Sequence, residues 1–200
     1  MSVFSHGRRR LMGGAAALAC ALALAACGDT KPEFIGSDIT GSHLGQAMSM
    51  PDTTGKLRTL DDYKGKVKVV FFGFTQCPDV CPTSLAELAQ TMDLLGTDAD
   101  KVQVILISVD PARDTPEVLS AYVHAFNPNF IGLTGTPEQL AATAKSFKAF
   151  YAKVEGAAPG QYTMNHAASF YILDQDGEAR VLVSGNAPAK DIAHDIRQLL

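Results

Sequence analysis

Apolar positions along this chain follow two rhythms. From Lys66, the stretch KVKVVFFGF begins by alternating and becomes wholly apolar, the pattern of a central strand buried on both faces. Leu85, Leu88, Met92 and Leu95 follow at helical spacing, and Gly96 predicts where that helix closes. VQVILISV, residues 102–109, reads as a second buried strand. Val118, Leu119, Tyr122, Val123 and Phe126 form a second helical stripe, stopped before Pro128, and residues 130–133 a short strand. Leu140, Ala144, Phe147 and Tyr151 predict a third helix. Residues 169–173 and 179–183 flank Asp174-Gln175-Asp176-Gly177, a hairpin turn signal, and Ile192, Ile196 and Leu199 share one side of a last helix. Ahead of the first strand, residues 48–60 read as a short hairpin around Asp52-Thr53-Thr54-Gly55. The order strand, helix, strand, helix, strand, helix, hairpin, helix predicts an α/β protein. A thioredoxin-like mixed sheet flanked by helices, with an N-terminal hairpin extension, satisfies it.

The first 27 residues break this rhythm. Arg8, Arg9 and Arg10 precede an uncharged Ala/Leu run that ends in Leu24-Ala25-Ala26-Cys27. Small residues before a cysteine resemble a lipoprotein signal, in which Cys27 is acylated and becomes the new N-terminus. An uncleaved membrane anchor is the rival reading. The run is near the lower length limit for a span, and Gly13, Gly14 and the alanines make it a weak one. Cys20 fits less well than Cys27, because Ala17 stands where Leu24 stands relative to Cys27. Arg8-Arg9-Arg10-Leu11-Met12 fits either an ordinary basic segment or a twin-arginine export signal. Residues 28–44, rich in Gly, Ser, Thr and Asp, read as a flexible tether, leaving 45–200 as one domain.

Composition narrows the function. The chain has 17 Lys and Arg against 21 Asp and Glu. Removing the three signal arginines leaves 14 against 21, a formal charge of −7. With no tryptophan and no basic patch, this argues against nucleic acid as a partner.

After the signal and the acylated Cys27, only Cys77 and Cys81 remain as thiols, in FGFTQCPDVCP. An exported pair can be oxidised and has no competing partner in the chain. Both cysteines precede proline, which disfavours helical backbone at the residue before it. Pro82 is expected at the first helical position with Cys81 as N-cap, and Cys77 in the loop leaving the strand. The helix N-terminus is then expected to lower thiol pKa values and gather two thiolates at one exposed spot, which suits a soft metal such as Cu(I) or zinc. A structural disulfide or two buried thiols is the plainer alternative. A metal needs a third ligand. His43 lies in the tether, and His124 and His194 fall on amphipathic helices as ordinary solvated residues. His166, in YTMNHAASFYIL, precedes a strand in a loop that a thioredoxin-like sheet sets beside the first strand–helix turn. A histidine merely hydrogen-bonded in a loop remains the alternative.

FIGSDITG (34–41), GKVKVVFFGFTQCPDVCPTSL (65–85), ISVDPARDTPEVL (107–119) and MNHAASFYILDQDG (164–177) together resemble the Sco/SenC family of copper metallochaperones. The resemblance implies a thioredoxin-like domain binding one copper, as Cu(I) or Cu(II), through Cys77, Cys81 and His166. It also implies a role in assembling the dinuclear copper centre of cytochrome c oxidase. Subunit II of that enzyme is the implied partner, beside other envelope copper chaperones or thioredoxin-like reductants. The implied location is the cell envelope, with a lipid anchor in the membrane. The chain departs from the family pattern at Asn165, where an aspartate often precedes the ligand histidine, and at Gln76, where a histidine often precedes the first cysteine.

In DPARDTP, Thr115-Pro116 and the similar Thr136-Pro137 read as helix caps. Asp110, Arg113 and Asp114 are candidates for orienting the metal loop, meeting a partner, or only a local salt bridge. The rival function is a thiol–disulfide oxidoreductase cycling Cys77 and Cys81. For that role the chain lacks C-x-x-C and has Ala167-Ala168-Ser169 where thioredoxins place a proline before the hairpin strand.

Overall fold

The computed structural model describes residues 32–200. The predicted signal, Cys20, Cys27 and the first residues of the predicted tether lie outside the described residues.

Two wholly apolar segments make the centre of the sheet. β4 (Val67–Gly73) and β5 (Val102–Ser108) are buried at every position and run parallel, with Phe71 opposite Leu106. Parallel strands require a crossover. It is supplied by α1 (Val80–Leu95), and α2 (Pro116–Phe126) likewise connects β5 to β6 (Ile131–Leu133). The other half of the sheet is antiparallel. β9 (Ser169–Leu173) pairs with β4, and β10 (Ala179–Ser184) pairs with β9 through the hairpin predicted at Asp174–Gly177. β1 (Ser37–Asp38) pairs antiparallel with β10, giving the order β1-β10-β9-β4-β5-β6. This is the mixed, thioredoxin-like sheet expected from the sequence.

Strand periodicity divides the two covering layers. Phe71 and Phe170 share the face that packs α1, α2 and α4 (Ala189–Arg197). Phe72 and Tyr171 point to the opposite face, against Phe147 of α3 (Pro137–Phe147). The expected early hairpin is formed by β2 (Met50–Pro51) and β3 (Leu57–Arg58), and Asp52 bridges it to Leu133. Lys68, in the middle of β4, is fully buried, and its Nζ donates to the carbonyls of Asp174 and Gln175 in the hairpin turn. No helix among the described residues is long and apolar enough to cross a membrane.

Two expectations need correction, and one element lies outside them. The tether does not extend to residue 44. The chain is docked from Ile35, whose N–H, with that of Gly36, donates to the buried Asp195 carboxylate at 2.7 and 2.8 Å. Polar composition concealed this, because backbone N–H groups make the hydrogen bonds and Phe34 and Ile39 alone add apolar packing within residues 34–41. Gly36 is needed there, since a Cβ would fall 2.7 Å from Val181 Cγ1. The third helix stops before Tyr151. Lys148 adopts the left-handed conformation at the α3 C-cap and turns the chain into β7 (Tyr151–Glu155). β7 pairs with β8 (Tyr162–His166) in a separate two-stranded ribbon that the sequence reading did not anticipate.

Candidate metal centre

Cys77, Cys81 and His166 meet at the C-terminal edge of β4, where open α/β sheets place their sites. Their two sulfurs and one ring nitrogen all lie within 4.8 Å of one another. Cys77 sits in the loop after β4, as expected. Cys81 does not sit at the N-cap. Asp79 is the N-cap, and Cys81 is the second residue of α1. Pro82 is tolerated one residue later because first-turn N–H groups have no helical acceptor to lose. The bias against helical backbone before proline is overridden by burial: Cys81 is completely enclosed. Gly73 makes that possible, since a Cβ there would lie 3.0 Å from Cys81 Sγ.

Burial also reverses the expected electrostatics. The cysteines are unlinked thiols, Cys77 half-buried and Cys81 fully buried. Burial pushes the Cys81 thiol far above the usual range, outweighing the Phe74 N–H that favours its thiolate. The pair is therefore not two thiolates at an exposed spot. The Cys81 N–H donates to Cys77 Sγ at 3.4 Å, which fixes the second sulfur over the first turn of α1.

His166 closes the group from the end of β8. Its Nδ1 lies 3.1 Å from the Ala167 carbonyl, an oxygen that can only accept. Nδ1 therefore carries the proton, and the Nε2 lone pair faces Cys81 Sγ at 3.5 Å. Burial lowers the imidazole pKa, keeping the ring neutral. The edges of Phe71 and Phe74 wall it in, with ring centroids at 6.1 and 5.8 Å. A protonated thiol facing an imidazole lone pair is an arrangement a soft cation can enter by displacing the thiol proton. The donor set thus fits copper.

The other histidines lie elsewhere. His43 pairs with Glu178, His124 is exposed beside Ser120, and His194 Nε2 meets the Glu33 carbonyl. Asn165 is exposed and alternates with His166 along β8, so its side chain leaves on the other face. A direct ligand role is therefore not what the Asn165 departure removes.

DPARDTP packs against the loop that carries the cysteines. Asp114 is fully buried and accepts from Thr75 Oγ1 and Ser108 Oγ, both at 2.6 Å, pinning the loop to the end of β5. Asp110 binds Arg113 Nε and accepts from the Tyr162 hydroxyl at 2.9 Å. Thr115 and Thr136 cap α2 and α3, with Pro116 and Pro137 in the first turns, as expected. Tyr162 was not singled out by the sequence reading. Tyr151-Ala152-Lys153-Val154 and Tyr162-Thr163-Met164, on either side of Pro159-Gly160, were the available signal of a hairpin.

Residues 37–200 match the SCO1/SenC family model. The SCO2-like protein of Rickettsia felis is 37% identical over 136 residues, covering 68% of this chain and 66% of that protein. Protein sco1 of Schizosaccharomyces pombe is 35% identical over 156 residues, 76% of this chain and 59% of that protein. The match thus spans less than two thirds of either relative. Among solved structures, copper-bound ScoI of Bradyrhizobium japonicum is 38% identical, with a TM-score of 0.70 over 83% of this chain and 99% of that one. A SCO1/SenC family lipoprotein from Bacillus anthracis is 34% identical, with a TM-score of 0.65 over 76% and 91%. BsSco, described as a member of the Sco family of cytochrome c oxidase assembly proteins and as having a disulfide switch, is 26% identical, with a TM-score of 0.65 over 84% and 98%. With all but the first 36 residues matching one family, and the strand, loop and helix that carry the cysteines inside that match, the chain belongs to the SCO1/SenC family.

Proposed function

We propose that this protein carries one copper ion, held by Cys77 Sγ, Cys81 Sγ and His166 Nε2, as cargo for assembling the dinuclear copper centre of cytochrome c oxidase. The observation that carries the reading is the convergence of two sulfurs and an imidazole lone pair within 4.8 Å. Thiolates with one imidazole select Cu(I), and the imidazole improves the match to Cu(II). The copper-bound relative supports the choice of metal, and the oxidase-assembly role of BsSco supports the destination. Half-burial of Cys77 and His166 leaves the cargo an exit toward a recipient, while Cys81 stays enclosed. Oxidase subunit II is the proposed recipient. The proposed location is the outer side of the cytoplasmic membrane or the periplasm, through acylated Cys27, in keeping with the lipoprotein relative.

A thiol–disulfide reductase reading is less well supported. Exchange needs a reachable thiolate and a second sulfur able to take its turn, and while Cys77 can be reached, Cys81 is fully enclosed and burial pushes its thiol far above the usual range. It also gives His166 no task.

The test is copper content and absorption spectrum after loading with Cu(I) or Cu(II). The expected result is one copper per chain and a sulfur-to-copper charge-transfer band with Cu(II). Cys77→Ser and Cys81→Ser are expected to lose both, and His166→Ala to lose Cu(II) preferentially. Copper retention by Cys77→Ser equal to the parent protein overturns the ligand set. In a deletion strain, His166→Ala is expected to lose oxidase assembly while its dithiol potential is unchanged. Normal assembly by that variant would favour the reductase.

A further inference from the structure

The copper reading leaves Arg113 unused, yet this one side chain touches both halves of the site. Its Nη1 donates to Gln76 Oε1 at 3.2 Å, one residue before Cys77, and to the Tyr162 carbonyl at 3.1 Å, at the start of the strand that ends in His166. Its Nε binds Asp110, which also accepts from the Tyr162 hydroxyl. The guanidinium carbon stacks 3.8 Å from the Tyr162 ring centroid and lies 5.9 Å from that of Phe74, whose ring edges His166. Lys153 Nζ lies 4.4 Å from the Tyr162 ring centroid.

The need for such a link follows from the topology. Cys77 and Cys81 belong to the central sheet and α1, whereas His166 ends a two-stranded ribbon that pairs with no strand of that sheet. A lone hairpin is marginal in water. Its end is tied to the sheet through Ala167-Ala168, whose second carbonyl accepts from the Gly185 N–H at 2.8 Å, and side-chain contacts add the link toward the cysteine loop. Three donor atoms bind an ion well only if they are held at binding distance beforehand.

We infer that Arg113 is a positioning residue that clamps β8 to the cysteine loop and so holds His166 against Cys77 and Cys81, with Gln76 as the acceptor on the loop side. The inference rests on the copper reading for its functional consequence. The clamp uses the shape of the guanidinium more than its charge. One planar fork reaches an amide oxygen, a backbone carbonyl and a carboxylate while its face stacks on a ring, which an ammonium cannot reproduce. It also gives Gln76, where the family pattern often has histidine, a task of its own in this chain.

The experiment compares the full chain in detergent with Arg113→Ala and Arg113→Lys, each made alone and together with His166→Ala. Two quantities are read: Cu(II) affinity by chelator competition, and amide hydrogen exchange of residues 151–155 and 162–166 in metal-free protein. Both Arg113 variants are expected to weaken Cu(II) binding about ten-fold when His166 is present and not at all when it is absent. Hairpin exchange is expected to rise about ten-fold without metal, with β4, β5 and α1 unchanged. An equal loss of affinity in the two His166 backgrounds overturns the inference, as does full rescue by lysine or unchanged hairpin exchange. If the parent chain binds no copper, the copper reading fails, and the exchange measurement alone decides whether the clamp exists.

Discussion

Cys77 and Cys81 share a Cys-Pro context, but burial gives them different chemistry. The half-buried Cys77 can be reached, while the enclosed and protonated Cys81 cannot. Brief treatment of metal-free protein with iodoacetamide should therefore label Cys77 roughly ten-fold faster or more, read by peptide mass spectrometry. Equal labelling would contradict the structure. The same burial sets a pH dependence for copper uptake. Cys81 keeps its proton through neutral pH and must release it on loading, so apparent affinity should rise about ten-fold per pH unit from pH 6 to 8 for this proton alone. Burial puts the His166 pKa below its ordinary 6.5, so the ring competes for protons only at lower pH. As pH falls through that lowered value, the affinity loss should steepen. A pH-independent affinity between 6 and 8 would refute the protonated Cys81. At this scale the sequence identified the ligand types and, through the family motifs, the three residues. It misjudged the protonation state, because the helix N-terminus is legible in a chain whereas the complete burial of Cys81 is not.

Asp52 organises an element of its own, the β2–β3 hairpin. Its carboxylate accepts from the Thr54 N–H and hydroxyl, the Lys56 N–H and Arg58 Nε, at 2.6 to 3.1 Å. Burial alone would raise its pKa, but the Thr54 and Arg58 hydrogen bonds prevail and bring it down to about 2. The folded value thus lies below the ordinary 3.8, and the stabilisation is present above 3.8 and lost as pH falls through about 2. Asp52→Asn should cost about 2 kcal/mol at pH 7 and nothing comparable below pH 2, measured by urea unfolding across that range. A second element depends on its neighbour in a way no local pattern reveals. The N-cap of α4 is Pro188, whose side chain cannot cap, and Glu87 of α1 accepts from the Ala189 N–H at 2.8 Å instead. Glu87→Ala should cost about 1 kcal/mol in the same assay. Thr115 and Thr136 cap locally and were readable in the chain; Glu87 is not, because its partner is 102 residues away.

Across the whole molecule, the N-terminal segment is fastened to the last helix. The Asp195 carboxylate accepts the N–H groups of Ile35 and Gly36, and β1 extends the sheet at β10. Asp195→Ala leaves those donors without their acceptor and should cost about 1–3 kcal/mol, with faster amide exchange at residues 35–38. Unchanged exchange there would show the strap to be independent of Asp195. The docking also limits reach. Ile35 lies eight positions after Cys27, and eight fully extended residue steps span about 28 Å at most. Were Cys27 acylated, as proposed, that length would be the most the chain could add between the bilayer surface and Ile35, less than a tether to residue 44 would allow.

By itself the sequence determined the alternation of buried strands and amphipathic helices, the mixed sheet with its early hairpin, and the threonine-capped helices. Each of these is written in spacing or in neighbours a few residues apart. Its family motifs also named Cys77, Cys81 and His166, since the types of donor atoms and the segments that carry them are linear properties of a chain. Only the tertiary structure decided that Cys81 is sealed and protonated, that the segment from Ile35 is docked, and that His166 ends a separate ribbon joined to the cysteine loop through Arg113. Those outcomes come from burial and from contacts between residues 37 to 160 positions apart, where the environment of a group, and not its identity, sets its chemistry.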